Sequence, residues 1–387
     1  MRSVSIVGVG LTEFGEHWEK NFKELVAEAG IKAIEDSGLH RKDIQAVYGG
    51  CMASGRFIGQ EHIGALIADQ LGLNPIASTR VEAACASGGV ALRNGYLAVA
   101  SGIYDVIAVG GVEKMTEVST EDAGFALGGA GDQETELFMG ASFPALYALM
   151  ARAHMHKFGT TEEQLAAVAV KNHKNAENNP YAQFRKAITI EEVMNSGYVA
   201  SPLKLLDCSP ITDGAAAVIM CSTEYAKKMK LDKAVEIIAS TQTSDTLALA
   251  SRKNLYEIPA AKLAAEQAYK QAGITAKDID FAEVHDCFTI AEIMAIEALG
   301  FCKLGEGGKF TEQGNTQIDG QIPINTSGGL KGKGHPVGAT GVAQAIEAYL
   351  QLNNMAGKRQ VKGVEIGLTH NVGGSGATAT IHIFRKA

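Results

Sequence analysis

The sequence predicts an α/β layered fold made of two related halves, with a further segment inserted into the first. Three observations predict it. Short β-branched runs alternate with helically spaced apolar residues, the pattern of strands and covering helices around a central sheet. The stretch AGIKAIEDSGLHRKDIQAVYGG (Ala29–Gly50) is matched by AAEQAYKQAGITAKDIDFAEVH (Ala264–His285), each reading as helix, Gly, short linker, Lys-Asp-Ile and strand. From Thr116 to Leu205 the alternation stops, and it resumes at AAAVIMCS (Ala215–Ser222).

In chain order, Val4–Val9 reads as a buried strand. Phe22, Leu25, Val26, Ala29, Ala33 and Ile34 then follow helical spacing, with Asn21 and Glu24 forming a capping box and Gly38 placed to stop the helix. Ala46–Tyr48, Thr79–Val81 and Val106–Val109 read as further strands. The inserted segment holds the Gly/Asp-rich AGFALGGAGDQ, a helix from Phe143 to Lys157 and a polar helix starting near Thr161. Phe281–Val284 is a strand of the second half. The Gly-rich turn and helix after Cys85 have a counterpart at Gly328–Leu352, a second parallel between the halves. These readings divide the chain into a first half at 1–115 that resumes at 206–230, an inserted loop domain at 116–205, and a second half at 231–387. Insertions on a rigid scaffold often build binding sites.

Composition narrows the function. Of 387 residues, 46% are apolar and 20% charged, as in an ordinary globular enzyme. The net charge of −8 and the lack of a basic run argue against nucleic acid, while leaving room for a local anion site. Six cysteines at 51, 85, 208, 221, 287 and 302 show no CxxC spacing, so neither zinc nor a disulfide framework is expected. A reduced, cytoplasmic setting follows from that reading. SVSIVGVG is too short and Gly-rich for a signal peptide, no stretch approaches a membrane span, and the C-terminal end carries no recognisable address.

Three motifs carry chemistry. In EAACASGG (Glu82–Gly89), a strand runs into Cys85, and Ser87-Gly88-Gly89 opens a helix. A thiol at such a helix start is expected to favour thiolate, and its small neighbours leave room for a carbonyl. A buried structural cysteine is the commoner fate of any single Cys. In GGLKGKGHPVGATG (Gly328–Gly341), Gly residues let the backbone approach a ligand, and Pro336 restricts the loop that holds His335. A rigidly held neutral His is the usual base for a thiol; the bland reading is a surface loop with an incidental His. In HDCF (His285–Phe288), a His, an acid and a thiol follow a strand and could form a proton-transfer pair, or could be a core Cys beside an ordinary His.

Taken together, ACASGG, PITDGAAAV, HDCF, GGLKGKGHPVGATG and NVGGSGA resemble the thiolases, in one unbroken order from residue 4 to the C-terminal end. The resemblance is to the sterol-carrier-protein type and the archaeal acetyl-CoA acetyltransferases. It implies the thiolase fold, two similar halves in a five-layered α/β/α/β/α arrangement with an inserted loop domain. It further implies Cys85 as the acyl-accepting nucleophile, His335 as its base, and His285 in the oxyanion hole where commoner thiolases have Asn. The backbone amides of Cys85 and Gly373 match a second oxyanion hole. Ser240 aligns with a pantetheine contact and Met139, beside Phe138, with a pocket wall, which favours short substrates. The commoner second catalytic Cys is replaced by Asn371, whose amide does not titrate, and Cys287 is the candidate in its stead.

The activity implied is reversible condensation of two acetyl-CoA to acetoacetyl-CoA by ping-pong acyl transfer through Cys85, with coenzyme A thioesters as substrates and no cofactor or metal. A homodimer or homotetramer is expected. So is a complex with hydroxymethylglutaryl-CoA synthase and a small OB-fold protein, feeding the mevalonate route. The alternatives are a 3-ketoacyl-CoA thiolase of broader chain length and a non-catalytic lipid-binding or scaffold protein of the same fold. A β-ketoacyl synthase or hydroxymethylglutaryl-CoA synthase shares the fold and nucleophile, but HDCF and GHPxGATG favour a thiolase.

Overall fold

Local signals set the first elements. In the computed structural model, which describes residues 2–387, Asn21 caps the helix Phe22–Ser37: its side chain accepts from the Glu24 amide and Glu24 reaches back to the Asn21 amide. Gly38 ends that helix in the left-handed conformation, φ 69°, where a side chain would be strained. The strand before it, β1 (Val4–Leu11), is longer than its apolar run because Gly10 and Leu11 pair with Ala217 and Ala216.

The remaining strands are β2 (Ala46–Gly50), β3 (Ala77–Val81), β4 (Val106–Glu113), β5 (Tyr198–Ala200), β6 (Leu203–Lys204), β7 (Gly214–Ser222), β8 (Val235–Ser244), β9 (Phe281–Glu283), β10 (Ile366–Gly373) and β11 (Thr378–Lys386). Nine of them hydrogen-bond in the order β3-β2-β4-β7-β1-β8-β11-β10-β9. Only two residue pairs, Ser5–Glu236 and Ile6–Val235, join β1 to β8, so the array divides there into one sheet per half.

The repeat is real in three dimensions. From β1 outward the pairings run antiparallel to β7, antiparallel to β4, parallel to β2 and parallel to β3. From β8 outward they run antiparallel to β11, antiparallel to β10, parallel to β9, and then to a parallel bridge between Ala282 and Ile324. Helix Pro259–Ala272 repeats Phe22–Ser37, down to a left-handed Gly273 at its end.

Strand β7 shows how the layers form. Every residue in it is buried, and alternate side chains go opposite ways. Ala215, Ala217, Ile219 and Cys221 pack against helices Phe22–Ser37 and Ile63–Gln70 on the outer face. Ala216, Val218 and Met220 face inward onto helices Ser87–Ala100 and Thr340–Leu352. Those two helices form a central layer between the sheets. Beyond the second sheet, Ala264, Ala268 and Ile296 cover Leu368, Ile381 and Ile383. The result is five layers, α/β/α/β/α.

The central helices touch backbone to backbone. A Cβ on Gly341 would stand 2.2 Å from the Gly89 nitrogen, so bare glycine is required there. The inserted segment folds as helices Thr120–Gly128, Phe143–Phe158, Glu162–Ala176 and Ile190–Asn195, followed by the β5–β6 hairpin. Its Gly-rich stretch is thus partly helical, started by the Ser119 side chain. Among the described residues, no helix is long and apolar enough to cross a membrane.

Candidate active site

Both halves supply a turn that leads into a central-layer helix, and these turns meet. After β3, Ala84 takes φ 51°, a strained conformation for a side chain, and Cys85 follows two residues before helix Ser87–Ala100. Ser87 staples the turn, accepting from the Ala83 amide at 2.9 Å and donating to the Ala84 carbonyl at 2.6 Å. From the second half, His335 and Pro336 precede helix Thr340–Leu352. Thr212 of PITDG receives the His335 amide at 3.0 Å, and the Thr340 hydroxyl oxygen lies 2.7 Å from His335 Nδ1. HDCF brings His285 and Cys287 from β9 to the start of helix Thr289–Ala298.

Cys85 Sγ and the ring nitrogens of His285 and His335 lie within 4.8 Å of one another. The two imidazoles meet edge to face at 5.0 Å. The triplet has the spacing of a metal-ligand set, but a nitrogen ligates only where its lone pair is free. Cys85, Cys287 and His335 open onto a cavity of about 290 Å³ whose apolar wall includes Met115, Leu127, Phe143 and Phe288.

Burial governs the electrostatics. It pushes the Cys85 thiol up to about 12, although the Gly374 amide pulls in the other direction. This differs from the thiolate expected at a helix start, because loss of water outweighs a few amide dipoles. Burial lowers His335 to about 3, and lowers His285 well below the usual imidazole range with His335 and His370 adding repulsion. At rest the site therefore holds a neutral thiol beside neutral imidazoles. Cys287 is raised well above an ordinary thiol by burial and then by the charge Cys85 would carry, with the Tyr147 hydroxyl acting against them.

Several side chains do not stand where the sequence placed them. Ser240 is buried in β8, its amide donating to Gln271 and its carbonyl receiving Arg93, and it does not line the cavity. Met139 and Phe138 are 77% and 79% exposed and lie outside the cavity wall. The amide that reaches Cys85 is that of Gly374; Gly373 closes β10 one residue earlier. Asp286 does not pair with His285 or Cys287 in a proton relay. Its carboxylate accepts from the amides of Leu330 and Lys331 and from Asn172, and so ties HDCF to the loop that carries His335.

Other residues enter unannounced. Tyr147 donates to the Gly374 carbonyl at 3.0 Å and packs on Phe288 at 4.7 Å, fixing the turn that faces Cys85. No spacing singled it out; it is one aromatic on an amphipathic helix. Asp213 of PITDG gathers the amides of His17, Met115 and Thr116 and the Lys114 ammonium, locking the end of β4 to β7. Glu113 is fully buried and accepts from Met52 and Ala53, and burial raises it to about 7.

Comparisons with known proteins agree with this arrangement. Residues 4–224 match the thiolase N-terminal domain and residues 241–386 the thiolase C-terminal domain-like family. An acetyl-CoA acetyltransferase of Methanothermobacter thermautotrophicus is 56% identical over the whole of both chains. One from Methanocaldococcus jannaschii is 53% identical over 99% of each. Human sterol carrier protein 2 is 36% identical over 97% of this chain and 71% of its own. Among solved structures, the Ltp2-ChsH2(DUF35) aldolase has a TM-score of 0.85 at 28% identity, covering 98% of this chain and 97% of that one. With both domains matched in order and whole-length relatives above half identity, the chain belongs to the thiolase family and is an acyltransferase.

Proposed function

We propose that the chain is an acetyl-CoA C-acetyltransferase, joining two acetyl-CoA into acetoacetyl-CoA and cleaving it in reverse. The observation that carries this reading is the convergence of Cys85, His335 and Cys287 on one small apolar-walled cavity, with a ring nitrogen of His285 within 4.8 Å of Cys85 and His335. In the proposed cycle the Cys85 thiol gives its proton to His335 Nε2 as its sulfur attacks the thioester carbon. His285 and the Gly374 amide stabilise developing charge around Cys85, on the substrate oxygen and the sulfur. Coenzyme A leaves with a proton from Cys287. The resulting Cys287 thiolate takes the α-proton of a second acetyl-CoA, whose enolate attacks acetyl-Cys85 and expels its sulfur, which takes its proton back from His335. A thiol held above its ordinary range becomes a strong base once deprotonated, which suits it to a weak carbon acid.

The cavity volume, 290 Å³, sits at the low end of the roughly 300–1,000 Å³ usual for ligand pockets and favours a short acyl group. No cofactor besides the thioester substrates enters this cycle. A homo-oligomer, a cytoplasmic setting, and a complex with hydroxymethylglutaryl-CoA synthase and a small OB-fold protein feeding mevalonate synthesis extend the same reading.

The test has two parts. Exposure to acetyl-CoA should leave one acetyl group on Cys85 by mass spectrometry, whereas a scaffold protein would show none. Thiolysis of acetoacetyl-CoA should outpace that of long-chain 3-ketoacyl-CoAs, and the reverse order would move the assignment to a broad 3-ketoacyl-CoA thiolase.

A further inference from the structure

Asn371 stands at the inner end of β10, against both the nucleophile and His285. Its Oδ1 accepts the Gly89 amide at 3.1 Å. A backbone N–H only donates, so this contact decides which end of the side-chain amide is oxygen. The Nδ2 then donates to the Cys85 carbonyl at 3.0 Å and meets His285 Nδ1 at 3.1 Å. Turning the amide over would set two donors against each other at Gly89 and two acceptors against each other at Cys85. The nest is built around this pose: a Cβ on Gly341 would come 2.4 Å from Oδ1, and one on Gly89 would come 2.9 Å from it.

The consequence falls on His285. Facing a donor, its Nδ1 holds a lone pair, so its proton sits on Nε2, which is buried and has no partner among the protein atoms. His335 has the opposite assignment. The Thr340 hydroxyl donates to the Pro336 carbonyl at 3.0 Å, so its oxygen accepts from His335 Nδ1–H, and the His335 Nε2 lone pair is free. Two adjacent neutral imidazoles thus carry unlike unpartnered nitrogens, one a donor and one an acceptor.

We infer that Asn371 is a positioning residue, which locks His285 in the Nε2–H tautomer so that it meets substrate oxygen as a hydrogen-bond donor. This deepens the thiolase reading and rests on it. It gives Asn371 a task other than the base it cannot be.

Nitrogen-15 spectra of the histidine-labelled enzyme, with the His285 signal identified by its loss in His285→Ala, should show the proton on Nε2. A proton on Nδ1 would overturn the inference directly. Asn371→Ala should slow acetylation of Cys85 by about 10-fold, with both tautomers now populated. Asn371→Asp should be worse at pH 8, by about 100-fold, the scale for one oxyanion donor, because a carboxylate draws the proton to Nδ1. That loss should shrink on acidification, since a doubly protonated His285 regains Nε2–H. The groups facing His285 are His335, His370 and Cys85, all held neutral by burial; Asp286 beside it in the chain and Glu113 near Cys85 are raised to about 7, so the dependence is read as the difference between Asn371→Asp and the wild-type profile. A pH-independent defect in Asn371→Asp would make the residue merely structural. Wild-type acetylation in His285→Ala would instead strike the thiolase assignment of His285, whatever its tautomer.

Discussion

Replacing Cys287 by Ala separates the two halves of the proposed cycle. Acetylation of Cys85 needs His335, a leaving thiolate and donors around Cys85. None of these is Cys287, although departing coenzyme A loses a proton donor, so a slowing of about 10-fold or less is expected. Removing the α-proton of a second acetyl-CoA needs a base, and the neighbours cannot stand in. His285 carries its proton on the unpartnered Nε2 and meets Asn371 with Nδ1, and His335 already holds the proton taken from Cys85. Asn371 does not titrate, and Tyr147 is held well above its usual range by burial and by Cys287. General-base catalysis contributes about 10²–10⁴-fold, or about 3–5 kcal/mol of barrier. Condensation should fall by that factor while acetyl-Cys85 still forms. The assay is deuterium incorporation into the acetyl methyl of acetyl-CoA in heavy water, read beside the acetyl adduct and circular dichroism. A folded Cys287→Ala enzyme with wild-type exchange would remove Cys287 from the chemistry and make it a packed thiol.

Further outcomes follow from the same geometry. His335→Ala should reduce acetylation by at least about 100-fold, since no other free lone pair faces Cys85; normal labelling would assign the base elsewhere. The acylation rate constant for acetyl-CoA should be flat from pH 5 to 8. Burial keeps His335 Nε2 unprotonated down to about 3, and Cys85 stays a thiol up to about 12, above which more thiolate would raise the rate and not lower it. A step near 7 would report Glu113, whose charge acts on Cys85. A limb near 6.5 would show an ordinary exposed imidazole instead. Gly341→Ala should cost about 1–3 kcal/mol or more of stability in urea titrations, because its Cβ meets backbone at 2.2 Å, and should also weaken acetylation by displacing Asn371.

What the sequence disclosed follows from how far each cause reaches. Helix Phe22–Ser37 could be read to the residue because its caps lie within a few positions of it. The alternation of strand and helix runs and the repeat of Lys-Asp-Ile likewise announce layers and halves. Cys85, His335 and Cys287 were recognisable through motifs that are themselves contiguous. The protonation of Cys85 was not, since the local signal is a helix start while burial is decided by the whole fold. Asn371 was named only as an absence, because its contacts come from Gly89 and His285, both distant in sequence. Ser240 and Met139 were misplaced because correspondence through a strand interior or an inserted segment carries no local signature of where a side chain points.

The glycine contact between the two central helices bears on how such an enzyme can move. Nucleophile and base sit on the turns that lead into opposite members of that pair, where Gly88 and Gly89 press on Gly338 and Gly341. A hinge between the halves would have to open this close backbone seam and would part Cys85 from His335 as it did so. Gating is therefore left to the periphery. Leu127 and Phe143 line the cavity from the inserted segment, apart from the seam that joins Cys85 to His335. Turnover should respond to changes in that wall far more than to any loosening of the frame.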